Sequence, residues 1–281
     1  MATQPTKRLF CFGFGYVARY LQTILPASWE VVGTSSTSAP GIVSFDDEAN
    51  IAALLRTSDA VLISTPPTAQ GDPVLARYAH LLKIMGPTTW IGYLSATSVY
   101  GDHKGAWVDE LSATNPTSPN GIARLEAEKA YQTQLASHNL HIFRLSGIYG
   151  PERSIVDQVL AGTAKWIDAP NHCLSRIHVH DIAQTFMQSM ARPNKGATYN
   201  LADDMPCPTS DLIRYVCDVK GLPYPPALPL DHPSLSPMLR GFYTDQKRVC
   251  NKRIKNELSV KLRFPTYKEG LDALLSSKTI R

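Results

Sequence analysis

The sequence lacks the features of membrane proteins and of nucleic-acid-binding proteins. No stretch of its 281 residues reaches the roughly 18 uninterrupted apolar residues that a membrane-spanning helix needs. The basic residues are scattered without a long run, and the net charge is only +4. We therefore expect neither a membrane nor a nucleic acid as a partner. The hydrophobic fraction of 43% is sufficient for a packed core.

The sequence also lacks a disulfide framework. No two of its five cysteines have the C-x-x-C spacing, and they are Cys11, Cys173, Cys207, Cys217 and Cys250. An odd set of this kind is typical of reduced thiols, which predicts a cytoplasmic protein. The apolar run 9–18 follows Lys7 and Arg8 as in a signal peptide, but two glycines interrupt it. We expect this run to belong to the fold.

Apolar runs alternate with helical patterns along the first 150 residues. The predicted strands are 8–12, 29–34, 60–64, 90–95 and 140–145, and the predicted helices are 16–25, 51–56, 73–85 and 123–137. Strands that alternate with helices form βαβ units and a parallel sheet. The sequence therefore predicts an α/β fold with a Rossmann-type doubly wound sheet.

The pattern is less regular after residue 150. We predict strands at 177–179 and 199–202, and helices at 182–190 and 209–220, with Asp181 as the cap of the first helix. The proline-rich stretch 222–237 is expected to be irregular. These features indicate a smaller C-terminal α/β lobe over the carboxyl edge of the sheet, where open α/β sheets bind ligands.

A glycine-rich turn of the pattern G-x-G-x-x-A follows the first predicted strand. Gly13 permits a tight turn, Gly15 lets the backbone approach a pyrophosphate, and Ala18 allows close packing of helix on strand. The helix that begins at Tyr16 offers free N–H groups and a positive potential to phosphates. The turn predicts an NAD or NADP site that includes Gly13, Gly15, Tyr16 and Ala18. A simple tight turn without a ligand is the alternative.

The second predicted strand ends in 33–37 (GTSST) without an acidic residue. A carboxylate at this place binds the ribose 2′-hydroxyl of NAD. Hydroxyl groups, Ser35 among them, can accept a 2′-phosphate instead, although no Arg or Lys is adjacent. The pattern favours NADP over NAD, and an ordinary polar loop over 35–38 is the alternative.

Several further blocks accompany the glycine turn, namely 93–101 (YLSATSVYG), 144–151 (RLSGIYGP) and 177–183 (IHVHDIA). Together they resemble the extended and atypical short-chain dehydrogenase/reductases, the superfamily of NAD-dependent epimerases and dehydratases. The sequence is most similar to the YeeZ-like group, through 11–16 (CFGFGY), 107–110 (WVDE) and 251–258 (NKRIKNEL).

This resemblance implies a Rossmann core over residues 1–150 and a substrate lobe over 151–281 that is interleaved with the core. It implies that Asp46 contacts the adenine, unless this is a solvated loop carboxylate. It also implies that Ser64 and Thr65 follow a strand beside the cofactor. A small-molecule substrate is expected, and a homo-oligomer is left open.

The catalytic residues that the resemblance implies are missing. The superfamily uses a Tyr as general acid/base, a Lys four residues later, and a Ser or Thr that orients the substrate oxygen. The matching positions hold Asn120, Arg124 and Ala96. Asn does not titrate near neutral pH, and Arg does not give up its proton in practice. As a cation, Arg124 can still bind a ribose or a phosphate of the cofactor.

Nearby hydroxyl groups are candidates to replace the missing relay. Thr97 is the candidate to hold a substrate oxygen, and Tyr100 or Tyr149 the candidate to donate a proton, in an active site with Asn120 and Arg124. Hydroxyls at strand ends usually satisfy local backbone groups, and tyrosines usually pack with one hydrogen bond. A purely structural role is therefore the alternative for each of these candidate residues.

The remaining polar groups predict little chemistry. His178 and His180 share a face of a strand, but no third ligand completes a set, so no metal is expected. Asp109 and Glu110 are expected in a solvated loop. The basic stretch 247–261 is either a solvated face or a contact to a substrate phosphate. By the resemblance, Leu174 stands where nucleotide-sugar enzymes carry an Arg, which argues against such a substrate.

Two functions are compatible with these residues. The first is an NAD(P)-dependent oxidoreductase or epimerase/dehydratase-like enzyme with a non-standard active site. The second is a catalytically silent NAD(P)-binding sensor or regulatory subunit. We favour the enzyme, because the resemblance extends to the substrate lobe as well as to the cofactor site.

Overall fold

Strands and helices alternate through most of the chain in the computed structural model, which describes residues 7–35, 41–169 and 171–278. The strands are β1 (Lys7–Phe12), β2 (Trp29–Thr34), β3 (Ile42–Val43), β4 (Ala60–Ile63), β5 (Trp90–Ala96), β6 (Trp107–Val108), β7 (Asn139–Leu145), β8 (Gly147–Tyr149), β9 (Trp166–Ile167), β10 (Arg176–His178), β11 (Ala197–Leu201), β12 (Ala227–Leu228) and β13 (Arg248–Val249). The helices are α1 (Tyr16–Ile24), α2 (Glu48–Arg56), α3 (Pro73–Lys83), α4 (Pro119–Gln134), α5 (Ile155–Leu160), α6 (Val179–Ala191), α7 (Thr209–Lys220), α8 (Pro237–Gly241), α9 (Lys252–Leu258) and α10 (Tyr267–Lys278). A 3₁₀ helix spans Thr97–Tyr100.

One sheet of seven parallel strands has the order β11-β7-β5-β4-β1-β2-β3. Its central strands are buried on both faces, as the fully buried run Ala60–Ile63 of β4 shows. Helices α1, α6 and α9 cover one face, and α2, α3 and α4 cover the other. The predicted Rossmann-type fold class is confirmed. Because the strand order reverses between β1 and β4, a crevice opens at their carboxyl ends.

The second half of the chain contributes both to the large sheet and to a smaller lobe. β11 pairs with β7, and α6 packs on α1, so residues beyond 150 complete the core. The lobe has its own apolar cluster, formed by α5, α7 and α10. Within 222–237, only the two residues of β12 form a strand before α8 begins. None of the helices in the described ranges is long and apolar enough to cross a membrane.

Helix α6 corrects the predicted cap at Asp181. The helix begins at Val179, because the ring of His178 accepts a hydrogen bond from the backbone N–H of His180 at 3.1 Å. Asp181 therefore lies inside the first turn and is fully buried. Its carboxylate accepts the backbone N–H groups of Arg263 and Phe264 at 2.7 and 3.1 Å. The carboxylate attaches the segment before α10 to the core.

A buried polar network joins α4, β7 and β11. The guanidinium of Arg144 pairs with Glu128 at 2.7 Å, and it also donates to the hydroxyl of Tyr100 at 3.0 Å. The Tyr100 hydroxyl donates to Asn200 at 2.7 Å, and the Asn200 backbone N–H donates to Glu110 at 2.7 Å. Glu110, expected in a solvated loop, is therefore part of this network. The network fixes α4 relative to the sheet.

We expect Glu128→Gln to destabilise the fold strongly. The substitution keeps the side-chain shape but leaves the Arg144 guanidinium, only 8% exposed, without its counter-charge. Removing one partner of a buried ion pair costs about 3–5 kcal/mol. Urea denaturation at neutral pH measures this change in the free energy of unfolding.

The matched control is Asp211→Asn, which removes the acid from a salt bridge with Arg214 at the surface. The side chain of Asp211 is 35% exposed and that of Arg214 is 48% exposed. Such a pair contributes less than about 1 kcal/mol. If both variants lost the same small amount, the buried pair would not stabilise the fold as we infer.

Candidate functional site

The glycine turn is held by the end of the neighbouring strand. Gly13 has a φ of +85°, which an L side chain adopts only with strain. Its N–H donates to the Thr34 hydroxyl at 3.0 Å, and the N–H of Phe14 donates to the Thr34 carbonyl at 2.6 Å. The Ser64 hydroxyl donates to the Gly13 carbonyl. Three strand ends thereby fix the shape of the turn.

The second glycine leaves open space in front of helix α1. Gly15 occupies the cap position of α1 in an extended conformation, with a φ of −88°. A Cβ atom placed there would meet no protein atom within 4 Å. Ala18 is fully buried, as the close approach of α1 to the sheet requires. The first N–H groups of the helix have no intrahelical partners, so the open space faces a natural anion site.

A cavity of about 880 Å³ lies at the carboxyl ends of β1, β2 and β4. It contains most of the predicted cofactor residues, and these are Gly13, Gly15, Ser35, Asp46, Ser64 and Thr65. Residues 36–38 of the predicted polar loop lie outside the described residues. Thr34 and Arg19 also line the cavity, although the sequence analysis did not select them. Arg19 lies four residues after Gly15, and this helical spacing is the signal that could have identified it.

Asp46 lines the cavity with its charge already paired. Arg77 of helix α3 forms an ion pair with the Asp46 carboxylate and donates to its backbone carbonyl at 2.9 Å. Tyr78 donates its hydroxyl to the carbonyl of Phe45 next to it. The segment 44–46 is therefore fixed on α3, and it forms one wall of the cavity.

Three predicted cofactor residues do not line the cavity, and these are Tyr16, Ala18 and Arg124. Ala18 packs on the sheet, as described above. The hydroxyl of Tyr16 donates to the carbonyl of Pro151 at 2.9 Å, and the guanidinium of Arg153 lies 5.8 Å from the centre of its ring. Tyr16 thus connects the glycine turn with the loop that follows β8.

The predicted catalytic region lies where the 3₁₀ helix meets the start of α4. The Ser118 hydroxyl accepts the N–H of Gly121 at 3.1 Å and caps α4. A Cβ atom on Gly121 would come within 2.7 Å of the Ser98 carbonyl, so a side chain there would separate these elements. Thr97 is half-buried and Asn120 is exposed on the two elements that meet here.

Arg124 and Tyr100 make contacts that stabilise the fold. Arg124 donates to the carbonyl of Leu94 at 2.7 Å, which holds α4 on β5. Tyr100 is fully buried with its hydroxyl in the network of Arg144 and Asn200, and burial raises the pKa of Tyr100 to about 12. This geometry is at odds with the expectation that Tyr100 donates a proton to a substrate. Tyr149 is also buried, with its hydroxyl 3.5 Å from the Thr266 carbonyl.

The remaining polar candidates lie apart from the cavity. His178 ends β10 while His180 belongs to α6, so they do not share a strand face. Within the described part of the chain, no three His, Cys, Asp or Glu side chains form a group that could hold a metal. In the basic stretch, Arg253 pairs with Glu257 at 2.8 Å and Lys255 pairs with Asp204.

Comparison with known proteins gives relatives at different distances from this chain. No protein-family model matches the sequence. A functionally unknown conserved protein from Silicibacter pomeroyi is 42% identical, with a TM-score of 0.86 over 97% of this chain and 99% of that chain. An uncharacterized protein from Schizosaccharomyces pombe is 21% identical in an alignment of 159 residues, with a coverage of 45% of this chain and 44% of that protein. The match thus spans less than half of this curated relative.

More distant structures show which proteins share the fold. A human epimerase family protein with NADPH is 16% identical, with a TM-score of 0.79 over 95% of this chain and 98% of that chain. A dTDP-glucose 4,6-dehydratase from Bacillus anthracis in complex with NAD is 14% identical, with a TM-score of 0.75 over 95% of this chain and 94% of that chain. At such identities the likeness shows the fold alone. The narrower resemblance to the YeeZ-like group stays a prediction.

The two glycines of the turn are expected to respond differently to substitution. Gly13→Ala forces a side chain into a left-handed conformation and against Ser64 and Thr65, at 3.0 Å from the added Cβ. We expect a loss of about 1–3 kcal/mol in the free energy of unfolding. Gly15→Asp adds a preferred helix-capping residue in open space, so we expect a change within about 0.5 kcal/mol.

Denaturant melts of the two variants beside the wild type test this difference. Equal destabilisation by both substitutions would contradict the open space that the structure has in front of Gly15.

Proposed function

The chain belongs to the family of the conserved protein of unknown function from Silicibacter pomeroyi, and on that premise we propose that its cavity binds a nicotinamide dinucleotide. One observation carries the proposal. The open space at Gly15, the start of α1 and the ends of β2 and β4 all border a single cavity. The solved epimerase and dehydratase structures of the same fold, with NADPH and with NAD, support the same cofactor class.

The residues of the cavity fit such a cofactor. The missing side chain at Gly15 lets a pyrophosphate approach the N–H groups at the start of α1, whose positive potential favours an anion. Ser35 follows β2, where the adenosine ribose binds in this fold, and Asp46 borders the space for the adenine. Ser64 and Thr65 follow β4 and line the same cavity, so they would contact the cofactor as well.

We further propose that the protein is an oxidoreductase or an epimerase/dehydratase-like enzyme acting on a small molecule. A nicotinamide dinucleotide supplies a hydride acceptor or donor when it is bound. Thr97 would hold a substrate oxygen beside Asn120, and the Asn120 amide can donate a hydrogen bond without exchanging a proton. Arg124 would keep the end of β5 in place through the Leu94 carbonyl and add a fixed positive charge.

A catalytically silent binding protein is the second candidate, and one observation favours it. The hydroxyl of Tyr100 is enclosed and its pKa is about 12, so it is a poor proton donor near neutral pH. Asn120 and Arg124, which stand in the positions of the proton relay, do not exchange a proton near neutral pH. A sensor or a regulatory subunit does not need such a relay, because it only has to bind the dinucleotide in the cavity.

Titration calorimetry with NAD⁺, NADH, NADP⁺ and NADPH tests the binding proposal. We expect micromolar or tighter binding of at least one form, corresponding to about −8 kcal/mol or better. Gly15→Asp should abolish it, because a carboxylate in front of α1 repels the pyrophosphate while the fold is retained. Binding of no form by a folded wild type would overturn the proposed function.

Turnover separates the enzyme from the silent protein. The oxidised and reduced forms of the bound cofactor are incubated with a panel of alcohols, ketones and sugar derivatives, and cofactor absorbance is followed. For any substrate found, Thr97→Val should lower kcat/KM by about 10- to 100-fold, since one hydrogen bond to the substrate is lost. The cofactor Kd should not change. Binding without turnover of any member of the panel would favour the silent protein.

A further inference from the structure

One arginine in the cavity has no counter-charge. Arg19 lies in the first turns of α1, and its backbone is fixed by a hydrogen bond from its N–H to the Gly15 carbonyl at 2.9 Å. Its side chain is exposed and lines the cavity together with Thr34 and Ser35. It makes no hydrogen bond, ion pair or ring contact with any residue that the structure describes.

The neighbouring arginines differ from Arg19 in this respect. Arg8 pairs with Glu30 at 2.7 Å on the adjacent strand, and Arg77 pairs with Asp46. Asp46 is the one acid among the lining residues that the structure describes, and its carboxylate is already paired with the guanidinium of Arg77. Among the described residues of the cavity lining, Arg19 is therefore the cation that is available to an anionic ligand.

The surroundings of Arg19 select the kind of anion. The start of α1 already offers N–H groups to a pyrophosphate, and Arg19 lies beyond it along the helix. The end of β2 carries the hydroxyl residues Thr34 and Ser35 where NAD-binding proteins place an acid. A carboxylate there would repel a ribose 2′-phosphate, whereas a hydroxyl and a guanidinium attract it. Arg binds phosphate with two parallel, charge-assisted hydrogen bonds.

We propose that Arg19 binds the 2′-phosphate of NADP(H), with Ser35 beside it, and that it makes the cavity selective for NADP over NAD. This inference rests on the proposed dinucleotide function and specifies which cofactor the cavity takes. The selectivity for NADP over NAD then comes from a residue of helix α1, because the end of strand β2 itself has no Arg or Lys.

The test compares two cofactors in two variants. Arg19→Gln should weaken NADPH binding by about 10- to 100-fold, the effect of losing hydrogen bonds to a charged group. It should leave the Kd of NADH within about twofold. Arg19→Lys keeps the charge without the paired geometry and should fall between wild type and Arg19→Gln for NADPH.

Arg56→Gln is the matched control, because it removes the same charge from helix α2 outside the cavity. It should change neither affinity. Since Arg19 is exposed, all these variants should unfold within about 0.5 kcal/mol of the wild type.

Fragments of the cofactor give a second measurement. Adenosine 2′,5′-bisphosphate should bind the wild type more tightly than adenosine 5′-diphosphate does, and Arg19→Gln should remove that advantage. An equal loss for NADH and NADPH would mean that Arg19 contacts the pyrophosphate, which would overturn the inference but leave the dinucleotide function intact. Wild-type preference for NADH would also overturn it. Failure of every dinucleotide and fragment to bind would overturn both.

Discussion

All seven strands of the large sheet run in the same direction, and the candidate site depends on this constraint. Parallel strands end at one edge, so residues that are distant in sequence meet there. The turn after β1, the hydroxyls after β2 and the segment after β4 line one cavity for this reason. The hydrogen bonds between Thr34 and the turn of Gly13 then fix the distance between two of these ends. The sheet itself brings these segments together around the cavity.

The sequence predicted the parts of the fold and site that depend on local pattern. The turn at Gly13 and Gly15 requires particular backbone conformations, and few residue types satisfy them. The alternation of strands and helices is equally local, and β1, β2 and β4 lie close to their predicted bounds. Contacts across the fold could not be predicted in this way. Whether Asp181 caps a helix or binds the backbone of Arg263 depends on a segment far along the chain.

The surroundings of the candidate catalytic and binding side chains were the hardest to predict from the sequence. Tyr100 carries a hydroxyl next to the predicted active site, but it lies in the 3₁₀ helix, and Arg144, which binds that hydroxyl, lies far along the chain on β7. Arg19 was not selected from the sequence, although its spacing of four residues from Gly15 on α1 is a signal that places both residues on one side of the helix. The side chain of Arg19 lines the cavity together with Thr34 and Ser35, and only the tertiary structure brings these residues together. The residue types therefore predicted which functional groups the chain contains, and the packing decided which of these groups are buried and which line the cavity.

The position of β11 has a consequence for how the protein is made. β11 covers β7, all seven residues of which are buried, and it comes from the second half of the chain. Until β11 has been synthesised, β7 is an open edge with unpaired backbone groups, a surface that attracts other strands. Helix α6, which packs on α1, also follows β7 in the chain and is missing when β7 is first made. The nascent N-terminal half thus carries the glycine turn early but is prone to association.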